Sequence, residues 1–285
     1  MSSHISARGT LTRPSFAEDL QQLTAIDVMQ YGVVSIEKTA PVYSAAALLV
    51  EKQISGLPVT YEGNMVGILS EKDLLRLFYA NGYLPGAVED YMTNEVVSFD
   101  IGDRVSDICS YLVECPFRRV PILNGRTIAG MVTRADLIKV YRRQILAACR
   151  ANEETVSPEA LAEDIMYCGL LTVNAEAPLT KAMDLIVKFH VSGLPVVDGK
   201  MGLMGIITEK DILLHLCKSK IIGMQVQDIM TRDVVVFSPK DSVNKICACL
   251  ICNSFHRVPI VNKGKLLGII SRADVLKYRC SIFKK

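Results

Sequence analysis

Short β-branched runs alternate along the chain with stretches whose apolar residues recur at helical spacing. Val33-Val34-Ser35-Ile36 and Val96-Val97-Ser98-Phe99 are bounded by turn residues and predict strands. Pro41 to Gln53 and Val105 to Cys115 carry helix-period apolar positions, with Pro41 tolerated at a first turn. Leu57 to Tyr61 and Met65 to Leu69 flank Glu62-Gly63-Asn64, which predicts a hairpin.

The same plan recurs four times. It opens at Ile26-Asp27-Val28-Met29, Glu89-Asp90-Tyr91-Met92, Glu163-Asp164-Ile165-Met166 and Gln227-Asp228-Ile229-Met230. Pro58, Pro121, Pro195 and Pro259 stand 63, 74 and 64 residues apart, so the middle step holds an inserted linker. The units alternate in character. Ser55-Gly56-Leu57-Pro58-Val59 returns as Ser192-Gly193-Leu194-Pro195-Val196, and Glu71-Lys72-Asp73 as Glu209-Lys210-Asp211. Phe117-Arg118-Arg119-Val120-Pro121-Ile122 returns as Phe255-His256-Arg257-Val258-Pro259-Ile260, and Arg134-Ala135-Asp136 as Arg272-Ala273-Asp274. A pair of units that was itself duplicated accounts for this order.

Each unit therefore reads β-α-β-β-α, an α/β (α+β) class. A lone unit of about 55 residues buries little apolar surface, so units are expected to pair sheet to sheet within each half. The expected layout is an N-terminal extension at 1–24, a first module at 25–143 with units 26–80 and 88–143, a helical linker at 144–161, and a second module at 162–285 with units 163–218 and 226–280. The linker is predicted as a helix, a polar turn around Asn152-Glu153-Glu154-Thr155 and a short second helix after Ser157-Pro158.

Charge and composition narrow the function. A net charge of +2 supplies no broad basic field, so nucleic acid is not the expected partner and any anion must be met by a few placed side chains. Met1 to Pro14 is polar with no apolar core, and runs such as Val243 to Phe255 fall short of the ~20 residues that cross a membrane. A cytoplasmic protein is expected. Nine cysteines form an odd set, read as reduced thiols; Cys247, Cys249 and Cys252 are read as buried small hydrophobes rather than a metal site.

The most repeated polar feature is Ser/Thr-x-x-Asp after a hydrophobic strand: Ser70/Asp73, Thr133/Asp136, Thr208/Asp211 and Ser271/Asp274. Helix capping explains the hydroxyl, but capping boxes favour the longer Glu or Gln, and all four units carry Asp. A short carboxylate beside a helix N-terminus can instead accept from two vicinal ribose hydroxyls, with a phosphate at the same helix end. Arg118-Arg119 and His256-Arg257 precede a strand placed inside, where an unpaired cation is costly and an arginine fork suits phosphate. No Walker motif, kinase-type Gly-rich loop or activated Ser, Cys or His constellation is present in the sequence, so no catalysis is expected.

Four β-α-β-β-α units, each ending Gly-hydrophobic-hydrophobic-Ser/Thr-x-x-Asp (Gly67 to Asp73, Gly130 to Asp136, Gly205 to Asp211, Gly268 to Asp274), resemble CBS domains of the cystathionine β-synthase type arranged as two Bateman modules packed as a disc. The plan is similar to that of the γ subunit of the AMP-activated protein kinase family and of stand-alone prokaryotic four-CBS proteins. The resemblance implies a regulatory protein that binds AMP, ADP or ATP between paired units, with no cofactor or metal. By that analogy Asp73, Asp136, Asp211 and Asp274 hold ribose, and Ser70, Thr133, Thr208 and Ser271 lie near ribose or phosphate. Arg118, Arg119, His256 and Arg257 face phosphate, helped by Lys72, Lys210, Arg134 and Arg272. Val34, Val97, Leu171 and Val235 supply the first-strand edge and apolar wall for adenine. The implied pairings are Asp73 with Arg118/Arg119 and Asp211 with His256/Arg257. An S-adenosylmethionine sensor and a ligand-free scaffold are the alternatives. An effector protein, and assembly as a monomeric disc or a homodimer, are left open.

Overall fold

The computed structural model describes residues 22–141, 160–218, 223–253 and 255–283. The predicted linker at 144–161 and the extension at 1–24 fall almost wholly outside them. The first unit runs α1 (Ala25–Val28), β1 (Ile36–Glu37), α2 (Val42–Lys52), β2 (Gly56–Tyr61), β3 (Asn64–Ser70) and α3 (Glu71–Asn81). The second opens with a 3-10 turn (Val88–Asp90) and continues β4 (Phe99–Asp100), α4 (Val105–Glu114), β5 (Arg119–Asn124), β6 (Thr127–Thr133) and α5, described over 134–141. The third is α6 (Ala162–Ile165), β7 (Val173–Asn174), α7 (Leu179–Lys188), β8 (Gly193–Val197), β9 (Leu203–Thr208) and α8 (Glu209–Lys218). The fourth is α9 (Val226–Ile229), α10 (Val243–Cys252), β10 (Arg257–Asn262), β11 (Lys265–Ser271) and α11 (Arg272–Phe283).

In the first three units a two-residue strand runs parallel to the hairpin, giving the orders β1-β2-β3, β4-β5-β6 and β7-β8-β9. In the fourth the same edge is a single parallel bridge, Phe237 to Ile260. The strands predicted over Val33–Ile36 and Val96–Phe99 are thus much shorter than their β-branched runs. Residues 33–35 and 96–98 are irregular, because neither run finds a backbone partner until Ile36 and Phe99 reach the hairpin. The first hairpin turns at Glu62 and Gly63, both with positive φ (50° and 78°), the conformation a two-residue loop needs to match strand twist.

Units exchange their opening segments. Gln30 pairs with Met131 of the second unit, Thr93 with Ile68 of the first, Tyr167 with Ile269 of the fourth and Thr231 with Ile206 of the third. In each case the preceding methionine lies against the glycine that starts the Gly-to-Asp motif: a Cβ on Gly67 would meet Met92 Sδ at 2.7 Å, and one on Gly268 would meet Met166 Sδ at 2.7 Å. The repeated Met and the repeated Gly are two halves of one contact, and β3 and β6 lie against each other in the same module.

The modules meet through helices. α3 packs on α7 and α8, and α4 on α11. Leu75 of α3 is buried in the core of the third unit, while its counterpart Leu213 of α8 is buried in that of the first. The second and fourth units share one core, from Val105, Ile108 and Leu112 to Ile246, Leu250 and Leu276. Each such fully buried side chain contributes roughly 1.5–3 kcal/mol. At that junction Cys109 Sγ lies 2.7 Å from Cys280 Sγ, and Tyr141 OH lies 3.2 Å from each. The contacts run from unit one to two to four to three and back, closing a ring. Cys247 is buried and Cys249 half-buried as expected of small hydrophobes, whereas Cys252, at the last turn of α10, is exposed. Among the described residues no helix is long and apolar enough to cross a membrane.

Candidate functional site

Inside the ring lies a cavity of about 810 Å³, within the size range of small-ligand sites. All four units line it. Its described wall holds Lys72, Arg118, Arg119, Arg134, Lys139, Lys210, Arg257 and Arg272 against Glu71, Glu209, Asp211 and Asp233. The basic groups therefore outnumber the acidic ones by eight to four, although the whole chain is nearly neutral. Burial and the charge of Arg118 lower Arg119 and Arg257 to about 10, and the same two causes lower Arg134. These groups stay cationic at neutral pH and repel one another, so the cavity favours an anion.

The paired units do lend arginines to each other. Arg257 Nη1 donates to Gly193 O at 3.0 Å, and its Nη2 donates to Ser192 Oγ, so the fork crosses from the fourth unit to the third. Arg119 Nη2 likewise donates to Ser55 Oγ at 2.5 Å, from the second unit to the first. Ser55 and Ser192 stand where the even units have Arg118 and His256, and their short hydroxyls make room for the incoming fork.

The four aspartates are helix caps first. Oδ2 of Asp73 accepts from Ser70 N at 2.9 Å and Ser70 Oγ at 2.6 Å, and the same box closes at Thr133/Asp136, Thr208/Asp211 and Ser271/Asp274. Capping therefore explains Asp as well as the hydroxyl, because at N3 the short carboxylate reaches back to the N-cap with one oxygen. Oδ1 of Asp73, Asp211 and Asp274 accepts from no described residue. Burial raises the Asp211 carboxyl, opposed by its bonds from Thr208.

Of the four, Asp211 is the one on the described cavity wall, together with Thr208, Thr231, Asp233, Val234 and Val235. Thr231 pairs with Ile206, so the apolar stretch at Val235 borders the cleft headed by Asp211. By the same exchange Val97 accompanies Asp73, Val34 accompanies Asp136 and Leu171 accompanies Asp274. Asp73, Asp136, Asp274, Val34, Val97 and Leu171 are not part of that wall.

Three of the expected phosphate groups line the same cavity and already have partners within the protein. Arg134 donates to Leu112 O at 3.0 Å and Cys115 O at 2.8 Å, and Arg272 to Leu250 O and Asn253 O, so both forks cap the C-terminal carbonyls of α4 and α10. His256 Nδ1 accepts from Arg272 at 3.0 Å, and burial with Arg118 nearby holds its pKa down to about 3, so it is a neutral imidazole. Arg118 reaches out of its own module: its Nη2 lies 3.6 Å from Glu209 Oε2. Lys72 and Lys210 are on the wall, Lys210 Nζ donating to Gln53 Oε1 at 3.5 Å. Sequence reasoning passed over Glu71 and Glu209, although both stand in the repeated Glu-Lys-Asp triplet. It also passed over Gln30, whose signal is position: after each methionine the units read Gln30, Thr93, Tyr167 and Thr231.

The chain matches the CBS domain family over residues 25–80, 88–143, 162–218 and 226–281. The uncharacterized protein MJ1225 of Methanocaldococcus jannaschii is 26% identical over 194 residues, 66% of this chain and 68% of that one. The crystal structure of MJ1225, described as a candidate archaeal homologue of γ-AMPK, shares the fold with a TM-score of 0.78 at 20% identity, over 90% of this chain and 99% of that chain. An uncharacterized conserved protein from Pyrococcus horikoshii is 25% identical at a TM-score of 0.59, over 90% and 100%. Inosine-5'-monophosphate dehydrogenase of M. jannaschii is 33% identical over 119 residues, 41% of this chain but 23% of the enzyme. The repeated units, their exchanged openings and these matches agree: the chain belongs to the CBS-domain family, with four CBS domains arranged as two Bateman modules.

Proposed function

We propose that the chain is a non-catalytic regulatory protein that binds adenine nucleotides (AMP, ADP or ATP) in clefts between paired CBS domains and passes the bound state to an effector protein. The observation that carries this reading is the cavity beside Asp211. A carboxylate oxygen left open by its cap, an apolar stretch at Val234-Val235 and the cations Arg118, Lys210 and Arg257 border one space. Ribose hydroxyls, a purine and a phosphate call for those three kinds of surface. Arg257 holds the phosphate, Asp211 the ribose, and the segment from Thr231 to Val235 the base.

The scaffold reading draws support from the capping boxes and from the capping forks of Arg134 and Arg272, which give every one of those side chains a structural task. The two readings separate in a thermal-shift panel of AMP, ADP, ATP, NADH and S-adenosylmethionine. A ligand at ~100 times its dissociation constant stabilises the fold by ~2.7 kcal/mol. Asp211→Ala is expected to weaken AMP at least ~10-fold through loss of charged hydrogen bonds, besides a cap cost of ~0.5–2 kcal/mol in stability. No shift with any adenosine compound overturns the sensor; a shift with S-adenosylmethionine alone keeps the clefts and changes the ligand.

A further inference from the structure

Asp136 differs from the other three aspartates in what its carboxylate meets. Gln30 Nε2 donates to Oδ1 at 2.8 Å and to Oδ2 at 3.0 Å, and Lys139 Nζ lies 3.3 Å from Oδ1. Thr133 occupies Oδ2 through its N–H and hydroxyl, as in every unit. Both oxygens are thus engaged, and Asp136 is buried, whereas Asp73, Asp211 and Asp274 are half-buried with Oδ1 open. Gln30 itself is exposed, on the opening segment that the first unit lays along β6 of the second. At the matching position in the clefts of Asp73 and Asp211 stand Thr93 and Thr231, whose side chains make no hydrogen bond to those carboxylates among the described residues.

We infer that Gln30 is a built-in plug for the second unit's cleft: its amide takes the place that a sugar diol would occupy on Asp136, so this cleft stays closed at ligand concentrations that fill the cleft of Asp211. The inference rests on the nucleotide-binding reading above and adds to it which site is withheld and by which residue. The amide nitrogen lies within hydrogen-bond reach of both oxygens of the carboxylate that two vicinal hydroxyls would use, so plug and ribose exclude each other. Because the backbone bonds Gln30 N to Met131 O (2.9 Å) and Met131 N to Gln30 O (3.1 Å) hold the segment, the Gln30 side chain can leave without it, and the partly exposed Lys139 side chain then has to turn from Oδ1 as well.

Equilibrium dialysis with radiolabelled AMP on the full chain tests this. Gln30→Thr, which installs the residue found at positions 93 and 231, is expected to bind one more equivalent than the parent, or to tighten one class of site at least ~10-fold. Adding Asp136→Asn keeps an oxygen for the cap at Thr133 and is expected to remove that gain. Equal stoichiometry and affinity in the parent and Gln30→Thr overturn the plug while leaving the nucleotide reading intact. So does a parent that already loses one equivalent on Asp136→Asn. Absence of AMP binding in every variant overturns both.

Discussion

Arg118 of the second unit lies 3.6 Å from Glu209 of the third, Nη2 to Oε2, and so joins the two modules across the central cavity. Glu209 sits at the first position of α8, 2% exposed, and its Oε2 has no hydrogen-bond partner among the described residues. Burial raises its carboxyl and Arg118 is the largest opposing influence. That guanidinium is the nearest charge favouring the ionised form, against the burial that disfavours it.

Replacing Arg118 with Met is therefore expected to destabilise the protein by roughly 3 kcal/mol at pH 8, near the lower end for a buried carboxylate left uncompensated, since Arg118 itself is partly exposed. The loss should be smaller at pH 5, because burial makes Glu209 take up a proton more readily than an exposed carboxyl and a neutral side chain needs no counter-ion, and Arg118→Met combined with Glu209→Gln should recover most of it. Urea unfolding at both pH values measures this. Equal destabilisation at pH 5 and 8 would mean that the contact matters through packing rather than charge.

Glu71 is the counterpart of Glu209 in the first unit, and its pKa is raised to about 7, first by burial and next by Glu209, against the lowering effect of Arg118, Arg119 and Lys210. A carboxyl whose folded pKa exceeds its unfolded value of 4.5 holds its proton more tightly in the folded state. Its contribution is full below about pH 4.5 and is lost as the pH rises through about 7. The linked change is on the order of 3 kcal/mol. Glu71→Gln, which cannot titrate, should match the parent near pH 5 and exceed it in stability above pH 7. A difference between parent and variant that stays flat from pH 5 to 8 in chemical denaturation would falsify the raised value.

The repeat, the hairpins and the helix heads were legible in the sequence because each is local: a Gly-bearing turn, a period of 3.6 and a capping pair all lie within a few residues. Asp211 and Arg257 were legible for the same reason, as members of short repeated motifs. What the sequence concealed is what depends on the ring closing. Arg134 and Arg272 look like spare cations until α4 and α10 bring carbonyls to them. His256 looks like a further cation until it is seen among four arginines, where a fifth positive charge is excluded. The runs at Val33 and Val96 look like strands, but only two residues of each region find a partner. Gln30 carries no motif; its role exists only because the first unit's opening lies on the second unit's hairpin.

Gly205 shows how strictly that exchange is built. A Cβ there would stand 2.6 Å from Thr231 O and 3.1 Å from Met230 Sδ. The methionine can yield, but the carbonyl cannot, because Thr231 and Ile206 exchange backbone hydrogen bonds at 2.9 Å. Gly205→Ala is expected to cost about 1–3 kcal/mol as an overpacked contact. Since the moved carbonyl belongs to the segment bordering Asp211, the substitution should also weaken AMP. By contrast Gly199→Ala meets nothing within 4 Å and serves as the control. Thermal unfolding of the two variants side by side decides it; equal melting temperatures would remove the steric account of the repeated glycine.

Arg257 offers the cleanest separation of phosphate recognition from cleft assembly. Its fork already donates to Ser192 and Gly193, so an alanine would both strip a charge and loosen the third unit. Arg257→Gln keeps an amide donor for that neighbour and removes only the cation. If the guanidinium meets phosphate, AMP should bind about 10- to 100-fold more weakly, the value of a charge-assisted bond, while adenosine, which has no anion, should change by less than about threefold, within the range of a neutral hydrogen bond. Calorimetric titration of both ligands into the parent and the variant gives the comparison. Parallel losses for AMP and adenosine would make Arg257 a positioning residue that shapes the cleft through Gly193, and the phosphate would then have to be met by Arg118 or Lys210.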